Sequence, residues 1–226
     1  MKPVSAQKLR VEIENAAPVS ALLILPQQAH TCFVFAHGAG AGMTHPSMET
    51  IASGLGERGV ATLRYQCPDM EAGSKRPDKP AVAHAAVRAA VMEAARCCPG
   101  LRLIAGGRSF GGRMTSQAQA IAPLAGVRGL AFLGFPLHPA NKPSSERAMH
   151  LSNIRVPMLF VQGTRDQLAE LTLLEPLIKQ LGSSATLHLV AEADHSFPVL
   201  ARSGRNDRDV MNEVLDRFAG WAGALA

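Results

Sequence analysis

Short apolar runs, separated by longer segments of helical spacing, organise this chain. Residues 19–25, 32–36, 61–65, 101–105, 130–134, 157–161 and 186–190 are each almost continuously apolar. A strand with one wet face alternates apolar and polar residues, whereas a strand covered on both faces does not. The runs therefore predict seven buried strands of a mostly parallel sheet. Residues 10–14 alternate instead and predict an antiparallel edge strand, which makes the sheet one of about seven to eight strands.

Between the runs the period lengthens. Met48, Ile51, Ala52 and Leu55 fall at i, i+3, i+4 and i+7, with Pro46 and Ser47 as a start signal and Gly59 as a stop. Residues 81–96 are alanine-rich and end before Pro99 and Gly100. Residues 114–121 and 169–181 follow the same spacing, as do residues 209–221, which carry Met211, Val214, Leu215 and Phe218 on one face. Strand and helix alternate almost throughout, which predicts an α/β fold with helices on both faces and right-handed crossovers. In such sheets ligands bind beyond the carboxyl ends of the strands. Two proline-rich loops, 66–79 and 135–156, leave strands at those ends and are expected to overhang the site. The second is too short for a large lid domain. Residues 1–226 are expected to form one domain.

Composition narrows the class. With 47% hydrophobic and 18% charged residues the chain is globular rather than disordered. The formal net charge is +5, but the 23 Lys and Arg are dispersed, which implies a solvated basic surface and argues against a nucleic-acid groove. No apolar run reaches the ~18 residues of a membrane span. Residues 1–17 lack a basic head followed by an apolar stretch, so no secretion signal is read there. Cys32, Cys67, Cys97 and Cys98 show neither metal-ligand spacing nor the density of a disulfide scaffold, and a cytoplasmic location with reduced thiols is expected. No metal and no cofactor is implied.

Candidate chemistry centres on Ser109. It lies in Gly107-Arg108-Ser109-Phe110-Gly111, a GxSxG motif between a strand and a helix. A sharp strand-to-helix turn lifts such a serine out of the sheet, and the flanking glycines let neighbouring backbone pass without a Cβ clash. A serine needs a base, and the base an orienting acid. Asp166 follows the strand at 157–161, and His195 follows the last strand. The chain order Ser, Asp, His and the strand-end placement suit a proton relay. Asp166 as a cap of the following helix, and Asp194 as the acid, are the competing readings.

The developing oxyanion needs amide donors. One is expected from the N–H of Phe110. The other is expected from the loop His37-Gly38-Ala39-Gly40-Ala41-Gly42, with Ala39 the first choice and Gly40 the second. A phosphate-binding loop is the rival reading, but neither GxGxxG nor GKS/T occurs. His37 is read as a brace for this loop. His138, in Gly134-Phe135-Pro136-Leu137-His138-Pro139, is either a substrate contact or a surface residue of a proline-stiffened loop. His188 falls within a strand, while His30, His84 and His150 have no supporting context.

With these residues in place, the chain resembles the α/β-hydrolase superfamily from about residue 19 onward. HGAGAG at His37, GGRSFGGR at Gly106, GFPLHP with Lys142-Pro143, and Asp194-His195 resemble a dienelactone-hydrolase-like branch. That branch includes uncharacterised bacterial hydrolases, a testis-expressed protein and a subunit of a chromatin acetylation complex. The resemblance implies Ser109, Asp166 and His195 as a triad with donors at Phe110 and near Ala39. Dienelactone hydrolases carry cysteine at the elbow, so Ser109 weakens any transfer of their substrate to this chain. The expected function is a serine hydrolase acting on small soluble esters or thioesters. The alternatives are a non-catalytic interaction module and a small peptidase.

Overall fold

The computed structural model describes residues 5–74 and 76–225. The first residues of the stretch 1–17, Lys75 within the loop 66–79, and Ala226 lie outside the described residues.

Eight strands form one sheet: β1 (Gln7–Val11), β2 (Val19–Ile24), β3 (Thr31–Ala36), β4 (Val60–Tyr65), β5 (Arg102–Arg108), β6 (Val127–Leu133), β7 (Met158–Gly163) and β8 (Ala185–Val190), in the order β1-β2-β4-β3-β5-β6-β7-β8. From β4 to β8 every pairing is parallel, while β2 runs antiparallel to both β1 and β4. The edge strand expected at 10–14 is present but shifted toward the N-terminus, because Val11 pairs with Val19 and fixes the register.

The helices are α1 (Pro46–Glu57), a single turn α2 (Pro68–Glu71), α3 (Pro80–Cys97), α4 (Phe110–Ile121), α5 (Leu171–Leu181) and α6 (Asp207–Ala224). The unbroken apolarity of the central strands has a direct cause. In β3, Cys32, Val34 and Ala36 belong to the core on the α3 face with residues such as Ala90, whereas Phe33 and Phe35 belong to the opposite core with Met48 and Ile51 of α1 and Phe218 of α6. Both faces are core, and each large side chain so buried contributes roughly 1.5–3 kcal/mol. Few aromatics are present, but they cluster: Phe33 meets Phe218 at 4.6 Å on one face, and Phe132 meets Phe160 at 4.8 Å on the other.

The segment between β6 and β7 contains only a 3-10 run, Glu146–Asn153, and no lid domain. β3, β5, β7 and β8 thus deliver their following loops to one uncovered edge of the sheet.

Candidate active site

β5 extends three residues past the apolar run that announces it, through Gly106 and Gly107 to Arg108, and α4 starts at once on Phe110. Ser109 sits on this corner with φ 46° and ψ −117°, a conformation that non-glycine residues rarely adopt. Crowding explains the glycines around it. A Cβ on Gly111 would lie 2.5 Å from the carbonyl oxygen of His37, and one on Gly107 would collide with that of Ala36. The elbow therefore packs main chain against main chain on β3.

Ser109, His195 and Asp166 come together. Ser109 Oγ donates to His195 Nε2 at 2.8 Å, and His195 Nδ1 donates to Asp166 Oδ2 at 2.6 Å. A carboxylate only accepts, which fixes the proton on Nδ1 and leaves Nε2 free to accept from the serine. The Asp166 side chain is fully buried, whereas that of His195 is 22% exposed. Both competing readings for the acid fall away. The residue capping α5 is Glu170, not Asp166, and the carboxylate of Asp194 accepts the N–H of Ser196 at 2.7 Å to close its own turn.

The supports of Asp166 were only partly visible in the sequence. Leu168 N–H donates to Oδ1 at 2.7 Å, and the Gln162 side-chain amide donates to Oδ2. The Gln162 carbonyl accepts Phe135 N–H at 2.9 Å, so one buried glutamine ties the acid to the loop after β6. The strand-end position of Gln162 was the available signal. The Asp166 turn is joined to the histidine loop by Arg165 N–H donating to Ala193 O at 2.9 Å and Thr164 N–H to Val190 O at 3.0 Å. Against the imidazole lies Gly134, where a Cβ would stand 3.4 Å from His195 Nδ1.

The glycine loop lies on the other side of the serine. A Cβ on Gly38 would stand 3.7 Å from that of Ser109, so main chain passes this serine at close range, with Ala39 and Gly40 exposed just beyond. His37 is a brace: Nδ1 donates to Gly38 O at 2.8 Å and Nε2 accepts Cys67 N–H at 2.9 Å. Burial pushes its imidazole below the ordinary histidine range, opposed by the Gly38 carbonyl, so it is neutral near pH 7. Met43 is held at both ends, its N–H by the Gln66 side chain at 2.7 Å and its carbonyl by buried Arg64 at 3.2 Å. The N-terminus of α1 is closed by its own cap, His45, which accepts Ser47 N–H at 3.2 Å. Arg108 reaches Ser47 Oγ at 2.5 Å and fastens the elbow to the same helix.

His138 requires a correction. It is wholly buried, Nδ1 donating to Pro139 O at 2.9 Å and Nε2 accepting Glu170 N–H at 3.4 Å. Its backbone N–H donates to Leu168 O at 3.0 Å, so it braces the Asp166 turn and is not a surface residue.

Residues 29–223 match the model of the alpha/beta hydrolase domain. The chain belongs to the alpha/beta hydrolase family. Among solved structures, a dienelactone hydrolase from Anabaena variabilis matches with a TM-score of 0.77 at 21% identity, over 98% of this chain and 99% of that one. An alpha-beta serine hydrolase homologue from Coxiella burnetii gives 0.75 at 17% over 95% and 97%. A serine hydrolase without lid from Xanthomonas campestris gives 0.74 at 17% over 100% and 99%. These low identities show a shared fold, that of a lidless alpha/beta hydrolase. Among the described residues no helix is long and apolar enough to cross a membrane.

Proposed function

We propose that this alpha/beta hydrolase is a serine esterase or thioesterase that splits small soluble acyl substrates through an acyl-enzyme on Ser109. The observation that carries this reading is the unbroken hydrogen-bonded chain from Ser109 Oγ through the His195 imidazole to buried Asp166. His195 Nε2 takes the hydroxyl proton as Oγ attacks the acyl carbon, and Asp166 stabilises the imidazolium that forms. Nε2 then gives the proton to the departing alkoxide or thiolate. Water repeats the cycle on the acyl-enzyme and releases the acid.

The oxyanion is assigned to the amides of Phe110 and Ala39, with Gly40 next in line. Phe110 opens α4, so its N–H has no intrahelical acceptor. Each such donor is worth about 3 kcal/mol in the transition state. A cavity of about 370 Å³ beside His195, whose lining includes charged Arg165 and Asp194 as well as Leu168, Pro198 and Leu200, gives room for a small group and favours soluble substrates. Four free cysteines suit a reducing compartment, in keeping with a cytoplasmic protein of one domain. The motifs around His37, Gly106 and Gly134 support the finer placement beside the testis-expressed and acetylation-complex proteins.

A fluorophosphonate probe read by intact mass tests the proposal. One adduct, absent in Ser109→Ala, is the expected result. A folded protein that takes no label, and hydrolyses neither matched esters nor thioesters, would instead be the interaction module.

A further inference from the structure

One turn beyond the nucleophile, α4 turns a second functional face outward. Phe110, Arg113 and Gln117 stand at i, i+3 and i+7 and so share one side of the helix. The guanidinium of Arg113 lies over the Phe110 ring, 5.7 Å from its centroid, and its Nε is buried with no hydrogen-bond partner. Against this face pack α3 and the 3-10 run Glu146–Asn153. His84 of α3 contacts the Gln117 side chain at 3.3 Å, and His150 of the run contacts Ser116 Oγ at 2.7 Å. Arg147 stands three residues before His150 on the run that packs against α4, and its charge opposes that of Arg113.

Among the described residues no carboxylate forms an ion pair with this group. Arg10, Arg58, Arg96 and Arg205 are paired with Asp or Glu, whereas Arg64 and Arg108 instead donate to the Met43 carbonyl and Ser47 Oγ. Among the described residues neither Arg113 nor Arg147 makes an ion pair, and the neighbouring Glu146 is exposed and pairs with neither. Arg88, the remaining cation of the group, is occupied with the carbonyls of Ala118 and Ala122 at the far end of α4. The histidines respond to the surplus. Burial, then the charge of Arg113, then His84, push His150 down to about 4, and burial and the charges of Arg88 and Arg113 lower His84. At neutral pH the histidines are therefore uncharged, and two half-buried guanidinium groups remain without a counterion.

We propose that Arg113 and Arg147 form a subsite for an anionic group of the substrate, a carboxylate or phosphate carried a few bonds from the scissile carbonyl. Three residues of helix rise about 4.5 Å, so the side chain of Arg113 reaches toward a group held beside Ser109. Guanidinium groups bind both oxyacids through paired, charge-assisted hydrogen bonds. Phe110 joins the two sites, since its amide faces the reacting oxygen in the proposed mechanism while its ring carries the cation.

The inference rests on the hydrolase reading, and the test keeps the two separable. The kcat/KM for the p-nitrophenyl monoester of glutaric acid is compared with that for p-nitrophenyl butyrate at low ionic strength. Thermal-shift titrations with glutarate and with inorganic phosphate run alongside and need no turnover. The expected result is a preference of tenfold or more for the anionic ester, reduced at least tenfold by Arg113→Gln and by Arg147→Gln and partly retained in Arg113→Lys. Glutarate or phosphate should raise the melting temperature of the wild type and not of either Gln variant, and the stronger of the two identifies the preferred oxyacid. Should Arg113→Gln fail to fold, the half-exposed Arg147→Gln still decides. Turnover of both esters with no charge preference, and no anion-dependent shift, would overturn the subsite and leave the hydrolase standing. No turnover of either ester, with an arginine-dependent anion shift, would support the subsite while the esterase reading fails.

Discussion

Toward Asp166, each member of the Ser109–His195–Asp166 chain has a protein partner; toward Arg113, cations gather without a carboxylate. On the first side the carboxylate is fully buried yet held by Leu168, Gln162 and His195. On the second, a guanidinium Nε is buried with nothing to donate to. A buried charge is costly unless paired, so the two sides make different demands. The acid side is complete in the free protein and needs only rigidity. The arginine side is complete only when something negative arrives.

The sharpest break of this contrast removes the relay itself. Ser109→Ala and His195→Ala should each lower kcat on a p-nitrophenyl ester by roughly a millionfold, with little change in KM. Asp166→Asn keeps the shape but offers an amide where a carboxylate held the imidazole tautomer, and kcat should fall about 10⁴-fold. A loss under tenfold would mean that His195 needs no acid. Gly111→Ala tests whether the elbow is fixed by steric crowding on β3: with a Cβ 2.5 Å from the His37 oxygen, denaturant melts should show a destabilisation of about 1–3 kcal/mol. Gln162→Leu removes one donor to Asp166 and strands Phe135 N–H, and should cost about tenfold in kcat. An unchanged rate would show that the acid side tolerates the incompleteness found beside Arg113.

The smallest effect is a pH dependence of stability with two opposing signs. His150 is lowered from 6.5 to about 4, so the unfolded chain binds the extra proton between those values and the native state weakens as pH falls through them. Asp69 is raised from 3.8 to about 6 by burial and by Asp78, so its contribution is present below 3.8 and is lost as pH rises through 6. Melting curves of His150→Gln should fall less than wild type from pH 6.5 to 4, and Asp69→Asn should gain on wild type above pH 6. Parallel curves for variant and wild type would remove the unbalanced charge from the account of His150.

Much of this architecture was legible along the chain, for identifiable reasons. Strands buried on both faces announce themselves as unbroken apolar runs, and β3 through β8 were found to within a few residues. The order of Ser109, Asp166 and His195 was legible because the fold delivers chemistry at strand ends. The start of α4 was not, since glycines 111 and 112 carry no helical signal and are there for clearance against β3 and Phe132. The burial of His138 was not legible because a histidine among prolines looks solvated, and only the packed loop shows both ring nitrogens already engaged. The arginine cluster was invisible for a similar reason: His84, Arg113 and Arg147 lie far apart in sequence, and the missing carboxylate is a property of space.

The clasp made by His37 has a consequence for anyone who would remodel the specificity loops. Its imidazole grips residue 67 by the main-chain N–H, so what it recognises is independent of the side chain there. Any small residue except proline can occupy that position without loosening the grip, whereas Gln66 and Glu71 act through their side chains, on Met43 and on Arg10 and Ser20, and must be kept. The glycine turn is thus fastened to its neighbour twice, once through main chain at residue 67 and once through a side chain at residue 66, and only the first fastening is indifferent to sequence.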